Sequence, residues 1–251
     1  IGLTASAEQH RARPRRRAYR WANGLAAGLL LAVLGYGATD YVPSWSDTHH
    51  TGVGQRQQWL LSDGTRVTLN SATALSVDFT GNQRSVILRK GEALFELADD
   101  PSRPFIVQAG QDRVAAKNGA FSVRRDAVQT RVLVASGAVQ VQHQTQTLEL
   151  QPNQQALYQP GQAVAERQQV DANALPAWHR GKLIFNRKPL QDVLAELERY
   201  QYGRIVLPDA TLGAMQISGV FDLNDPQNLL HTLEQRYGLN ITYLPFVAWV
   251  H

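Results

Sequence analysis

Eighteen consecutive residues without a formal charge, Trp21 to Ala38 (WANGLAAGLLLAVLGYGA), constrain this chain more than any other feature. As a helix rising about 1.5 Å per residue the stretch spans about 27 Å, close to the roughly 30 Å of a bilayer core. Arg11, Arg13, Arg15, Arg16, Arg17 and Arg20 precede it, and Asp40 and Asp47 follow it. By the positive-inside rule this predicts a single-pass membrane protein: residues 1–20 a cytoplasmic basic tail, residues 21–39 the transmembrane helix, and the bulk of the chain across the membrane. A cleaved signal peptide shares this layout, but TDYVPSW after Ala38 lacks an A-x-A site, which favours an anchor. Arg16-Arg17-Ala18-Tyr19-Arg20 also loosely matches a twin-arginine export signal, a match that arginine-rich flanks produce by chance.

The tail also accounts for the charge. Six arginines against Glu8 give it +5, so with a net charge of +4 the remaining residues sum to about −1. A nucleic-acid-binding domain spreads Lys and Arg over a folded face, and this chain does not, so nucleic acid is excluded as a partner. Without cysteine there is no disulfide framework, thiol nucleophile or Cys-ligated zinc.

Residues 40–54 read as a linker rich in Pro, Ser, Thr and Gly. From residue 55 the pattern changes to period two. Gln58 to Leu61 and Arg66 to Leu69 flank Ser62-Asp63-Gly64-Thr65, a hairpin signal. Further short runs follow at Ala74 to Phe79, Ser85 to Leu88, Ala93 to Leu97, Phe105 to Gln108, Ala120 to Arg124, Arg131 to Ala135, Val139 to His143 and Thr147 to Leu150. Their density predicts an all-β sandwich or solenoid-like domain over residues 55–160. After a connector at 161–175, residues 176–251 predict a small α+β domain of two βαβ repeats. Phe185/Phe221, Val193/Leu229, Leu194/Leu230, Leu197/Leu233, Glu198/Glu234 and Ile205/Ile241 are each 36 positions apart.

The tools of an enzyme are missing from the pattern: no G-x-S-x-G elbow, H-E-x-x-H, P-loop or helix-opening G-x-G-x-x-G occurs. The expectation is no catalytic residue, metal or cofactor. His49-His50 beside Asp47 point to opposite faces of an extended strand and read as solvated linker. Asp99 and Asp100 before Pro101 read as a turn. His143, His179 and His231 receive no chemistry.

Several stretches together resemble the FecR-like anti-sigma regulators of cell-surface signalling. WLLSDGTRVTLN at 59–70 is similar to that family's L-x-D-G-S-x-V-x-L-N; Gly91-Glu92-Ala93 with Phe95 resembles G-E-A-x-F; and Arg103-Pro104-Phe105-Ile106-Val107 resembles R-P-F-x-V. Trp178 to Phe185 followed by Pro189-Leu190 resembles the W-x-x-G-x-L-x-F…P-L junction, and Ile217 to Phe221 resembles I-S-G-x-F. The resemblance implies an inner-membrane regulator with its bulk in the periplasm, where it takes a signal from the N-terminal signalling domain of a TonB-dependent outer-membrane receptor. On the cytoplasmic side it implies an extracytoplasmic-function sigma factor as partner, bound by a helical domain that would occupy far more than the 20 residues before the span. Periplasmic and intramembrane proteases complete the relay. The C-terminal repeats resemble the secretin and TonB short N-terminal fold, with expected anchors for the receptor domain at Trp178, Ile217, Val220, Phe221 and Trp249. Two other readings remain: a structural or scaffolding envelope protein, and a periplasmic enzyme or ligand-binding domain. The family's self-cleaving Gly-Thr pair appears here as Gly119-Ala120, which lacks the hydroxyl nucleophile.

Overall fold

The computed structural model describes residues 49–80, 83–127, 129–159, 166–170, 175–225 and 228–251. The basic tail, the expected span from Trp21 to Ala38, the Gly81-Asn82 turn and Pro226 lie outside the described residues. Among the described residues no helix is long and apolar enough to cross a membrane.

Thirteen strands of the described residues form one curled sheet: β1 (His49–His50), β2 (Gln57–Leu60), β3 (Arg66–Leu69), β4 (Ala74–Thr80), β5 (Gln83–Glu96), β6 (Phe105–Ala109), β7 (Asp112–Ala116), β8 (Ala120–Arg125), β9 (Thr130–Ser136), β10 (Val139–His143), β11 (Gln146–Leu150), β12 (Gln154–Tyr158) and β13 (Glu166–Gln169). Their order is β11-β10-β7-β6-β5-β8-β9-β12-β13, with β4 and β3 also pairing with β5. Period-two alternation turns one face inward, burying Thr130, Val132 and Val134 on β9 and Val139, Val141 and His143 on β10. Phe95, Phe105 and Phe121 meet at the centre, with ring centroids 5.5 and 5.4 Å from Phe95.

The sequence pattern separates Ser85 to Leu88 from Ala93 to Leu97, whereas the structure joins them in the long strand β5. Its first part pairs with β4 and β6, and its second part with β3 and β8. One strand thus serves both sides of the curl, and the corner falls at Gly91. There φ is +88°, and a Cβ would lie 2.3 Å from Thr73 Oγ1 and 2.5 Å from Thr73 Cα. Glycine is the residue that fits this left-handed, crowded position. A second support is Arg84, fully buried on β5. Its guanidinium pairs with Asp63 of the first hairpin at 3.2 Å and donates to the Arg103 and Ala98 carbonyls, tying that turn to the loop before β6.

In the C-terminal half, a 3-10 turn (Ala177–Arg180) leads into β14 (Lys182–Pro189), α1 (Leu190–Glu198), β15 (Arg204–Val206), α2 (Ala210–Gly213), β16 (Gln216–Asp222), α3 (Asn228–Tyr237), β17 (Ile241–Leu244) and β18 (Val247–Val250). Leu190, Val193, Leu194 and Leu197 of α1 and Leu229, Leu230 and Leu233 of α3 are buried together, as their helical spacing requires. The two units make equivalent contacts: Ile205 N donates to Glu198 at 2.8 Å, and Ile241 N donates to Glu234 at 3.2 Å. The strand pairing differs from two self-contained βαβ units. β14 pairs antiparallel with β16 across the repeats, while β15 pairs parallel with β18, a strand the repeat pattern does not contain. Each unit is too small to bury both faces alone, so its strands find partners in the other unit.

Replacing Gly91 by Ala is expected to cost about 3 kcal/mol, combining the left-handed backbone penalty with the collision against Thr73. Gly238 is also at positive φ (+68°), but a Cβ there would have nothing within 4 Å. The same change is expected to cost about 1 kcal/mol at that position. Urea unfolding of the two variants checks the difference, and equal midpoints would show that the corner tolerates a side chain.

Candidate functional site

A buried network of charged residues lies where the curled sheet meets the C-terminal half. Strand alternation sends Ala93 and Phe95 to one face of β5 and Glu92 to the other, where Glu92 is buried at the junction. Its carboxylate accepts from the Trp178 indole N–H at 2.7 Å, from Asn70 Nδ2 at 3.0 Å and from Arg199 Nη2 at 2.8 Å. Arg199 also donates to Glu196 at 2.5 Å, and Glu196 accepts from Arg124 of β8 at 2.7 Å. Negative and positive groups thus alternate from Glu92 through Arg199 and Glu196 to Arg124. Asn70 Nδ2 lies 2.8 Å from the Tyr200 hydroxyl, and Ser71 Oγ donates to the Arg199 carbonyl. Leu94, two residues after Glu92 and on the same face, enters the apolar core of the C-terminal half.

The electrostatics follow from this geometry. Burial alone would raise the Glu196 carboxyl, but Arg199 and Arg124 outweigh it and hold the group below the ordinary glutamate range. Burial opposes the charge on Arg199, and Glu92 and Glu196 more than offset that, so its guanidinium is held more firmly protonated than usual. Burial pushes the Tyr200 hydroxyl up, so it stays a neutral donor and acceptor. The arrangement binds two parts of the chain together.

Glu92 and Trp178 both stand in stretches that resemble the FecR-like pattern, yet 86 positions separate them and nothing local in the sequence pairs them. Asn70 closes the stretch at 59–70 that resembles the same pattern, whereas Arg124, Glu196, Arg199 and Tyr200 carry no sequence signal, because single polar residues on strand and helix faces look like ordinary solvated positions. His143, to which the sequence pattern gives no chemistry, pairs with Asp112 inside the β domain. Asp100 does serve its turn, accepting from Ser102 and Arg103, and these bonds lower its carboxyl to about 2. His49 packs its ring 4.8 Å from Trp59. Among the described residues no three His, Asp or Glu gather in a metal-binding arrangement.

The five expected docking residues separate into two groups. Trp178, Ile217 and Phe221 are buried, which corrects their reading as exposed anchors: alternation on β16 sends Ile217 and Phe221 to the inner face, and Trp178 is turned inward by its bond to Glu92. Val220 lies on the outer face of β16 opposite Ile184 of β14, at 59% and 57% exposure. Trp249 stands on the outer face of the sheet formed by β15, β18 and β17, 42% exposed and opposite Thr242, with exposed Leu244 on the same face of β17. β14, β16 and β17 each have a free edge among the described residues.

At the Gly119-Ala120 pair, Gly119 has φ +93° and no room for a side chain, since a Cβ would lie 2.2 Å from the Ser136 carbonyl oxygen. Its own carbonyl accepts from Leu97 N at 2.9 Å. The tight turn and the hydrogen-bonded carbonyl are in place, but the next residue carries only a methyl group.

Residues 47–140 match the family model described as FecR protein. Two crystal structures of a candidate anti-sigma factor from Parabacteroides distasonis are similar to this chain, each at 28% identity, covering 81% of this chain and 97% of the other, with TM-scores of 0.69 and 0.68. No curated protein matches. The β domain and the C-terminal half both fall within this likeness, and the family it points to is regulatory.

Glu196→Gln is expected to lower stability at neutral pH by on the order of 2 kcal/mol, since it strips the charge between two buried guanidiniums. Because the folded carboxyl titrates below its ordinary value of 4.5, that contribution is present above pH 4.5 and is lost as the pH falls through the folded value. Thermal melts of wild type and variant should therefore converge in acid, and a constant gap down to pH 3 would contradict the assignment. The purified chain is expected to stay uncut at Gly119-Ala120, and Ala120→Thr to gain a cut there. Intact-mass spectrometry separates these outcomes.

Proposed function

We propose that this FecR-like chain is a signal-transducing regulator of the anti-sigma type rather than an enzyme. In this reading it is anchored in the inner membrane with its N-terminus cytoplasmic. Its C-terminal half receives the N-terminal signalling domain of a TonB-dependent outer-membrane receptor, and the state of that contact is relayed to an extracytoplasmic-function sigma factor. Periplasmic and intramembrane proteases act near residues 40–54 and then within Trp21 to Ala38. The observation that carries the reading is the 97% coverage of a candidate anti-sigma factor by both halves of this chain together, at 28% identity. The buried junction supports it, since a binding protein that reports on occupancy needs its receiving and relaying parts mechanically joined.

The receiving surface follows from the exposed positions. Free edges on β14, β16 and β17 offer main-chain donors and acceptors to an added strand, and Val220 and Trp249 offer apolar contacts beside them. Val220→Asp and Trp249→Ala are each expected to weaken capture of the receptor signalling domain about tenfold or more, in the range of interface anchors. Affinity measured with the full chain, alongside circular dichroism to verify folding, is the check. Unchanged affinity in both folded variants would remove this surface, and no binding by wild type would favour a scaffolding role.

A further inference from the structure

We propose that the ladder Glu92–Arg199–Glu196–Arg124 is a releasable orientation lock, and that the C-terminal half exchanges between a docked state held by this ladder and an undocked one. The inference concerns the chain alone and stands or falls apart from the identity of any partner.

Three observations carry it. First, the apolar contact across the junction is small. Among the described residues, every buried hydrophobic of the β domain except Ala74, Leu94 and Ile106 packs in the domain's own core, and of these three Leu94 enters the other core. Adhesion therefore rests mainly on polar bonds.

Second, those bonds alternate in charge and are buried, with Glu92, Arg199, Glu196 and Arg124 side chains between 10% and 21% exposed. A buried ion pair gains little over well-packed apolar residues, but it penalises any misalignment that leaves one charge without its partner. Such a ladder selects one orientation sharply while contributing modest net adhesion.

Third, the junction is incompletely satisfied. Among the described residues the buried arginine nitrogens Arg56 Nη1 and Arg131 Nε make no hydrogen bond, and Arg124 Nε has only a 3.4 Å ion-pair contact with the partly exposed Asp126 carboxylate. Arg56 reaches Asn224 across the junction at 2.7 Å, and Arg124 reaches Glu196. Arg131 lies in the field of Arg124, Glu196, Glu92 and Arg199. Buried donors left without acceptors carry a desolvation cost that water removes when the surface opens. Docking therefore keeps a retained penalty on the β-domain side, which narrows the gap between the two states.

The chain has no cysteine, so paired labels can be placed without removing native thiols. Gln140→Cys on β10 and Gln235→Cys on α3 are exposed positions in the two halves, and Gln57→Cys with Gln140→Cys reports on the β domain alone. Spin-label distance measurements on the full chain should give one dominant inter-half distance in wild type. In Glu196→Gln, and in the charge-balanced pair Arg124→Gln with Glu196→Gln, a second, broader distribution should grow at least tenfold while the control distance stays unchanged. An unaltered single inter-half distance in both variants would overturn the lock, as would loss of the control distance together with the inter-half one, which would mean that the halves unfold as one unit.

Discussion

The close approach of the β5 backbone to Thr73 at Gly91 is the constraint on which most of the structure depends. It lets one strand turn a corner and hydrogen-bond on both sides of the curl, so two sets of strands share one core instead of forming two sheets. The same corner determines which way the following residues face. Ala93 and Phe95 enter the β-domain core, while Glu92 and Leu94 are presented to the C-terminal half. A backbone condition of a single residue thus links the packing of one domain to the attachment of the next.

Attachment by charge instead of apolar area has a mechanical meaning. Glu92 is held by three donors, two of which come from the C-terminal half. The bonds are directional and buried, so they define an orientation more strongly than they resist separation. In a protein read as a relay, this is a suitable property: the receiving half is held in one pose until an outside contact competes for it. The apolar outer faces around Val220 and Trp249 lie on that receiving half, on strands that form or adjoin its unpaired edges.

The two repeats illustrate how a duplicated sequence yields a fold that neither copy contains. Glu198 and Glu234 each cap the return strand of their own unit through the same hydrogen bond, a local arrangement inherited with the repeat. The sheets, however, are assembled between the copies, and β18 supplies a further strand that parallels β15. A repeat period says which residues are equivalent; it does not say which strands become neighbours.

Sequence alone determined the elements whose cause is local. Period-two runs marked most of the strands, the Asp-Gly turn marked the first hairpin, and leucine spacing marked α1 and α3, because side-chain periodicity and turn geometry act within a few residues. It also carried the stretches that resemble the FecR-like regulators, including Gly91-Glu92 and Trp178. Tertiary structure alone decided that Glu92 and Trp178 bond to each other, that Arg199 and Glu196 bridge to Arg124, and that Ile217 and Phe221 face inward while Val220 faces out. Those outcomes depend on which surfaces the folded chain brings together over distances of up to 168 positions, as between Arg56 and Asn224, and desolvation at that meeting gives ordinary polar residues their role.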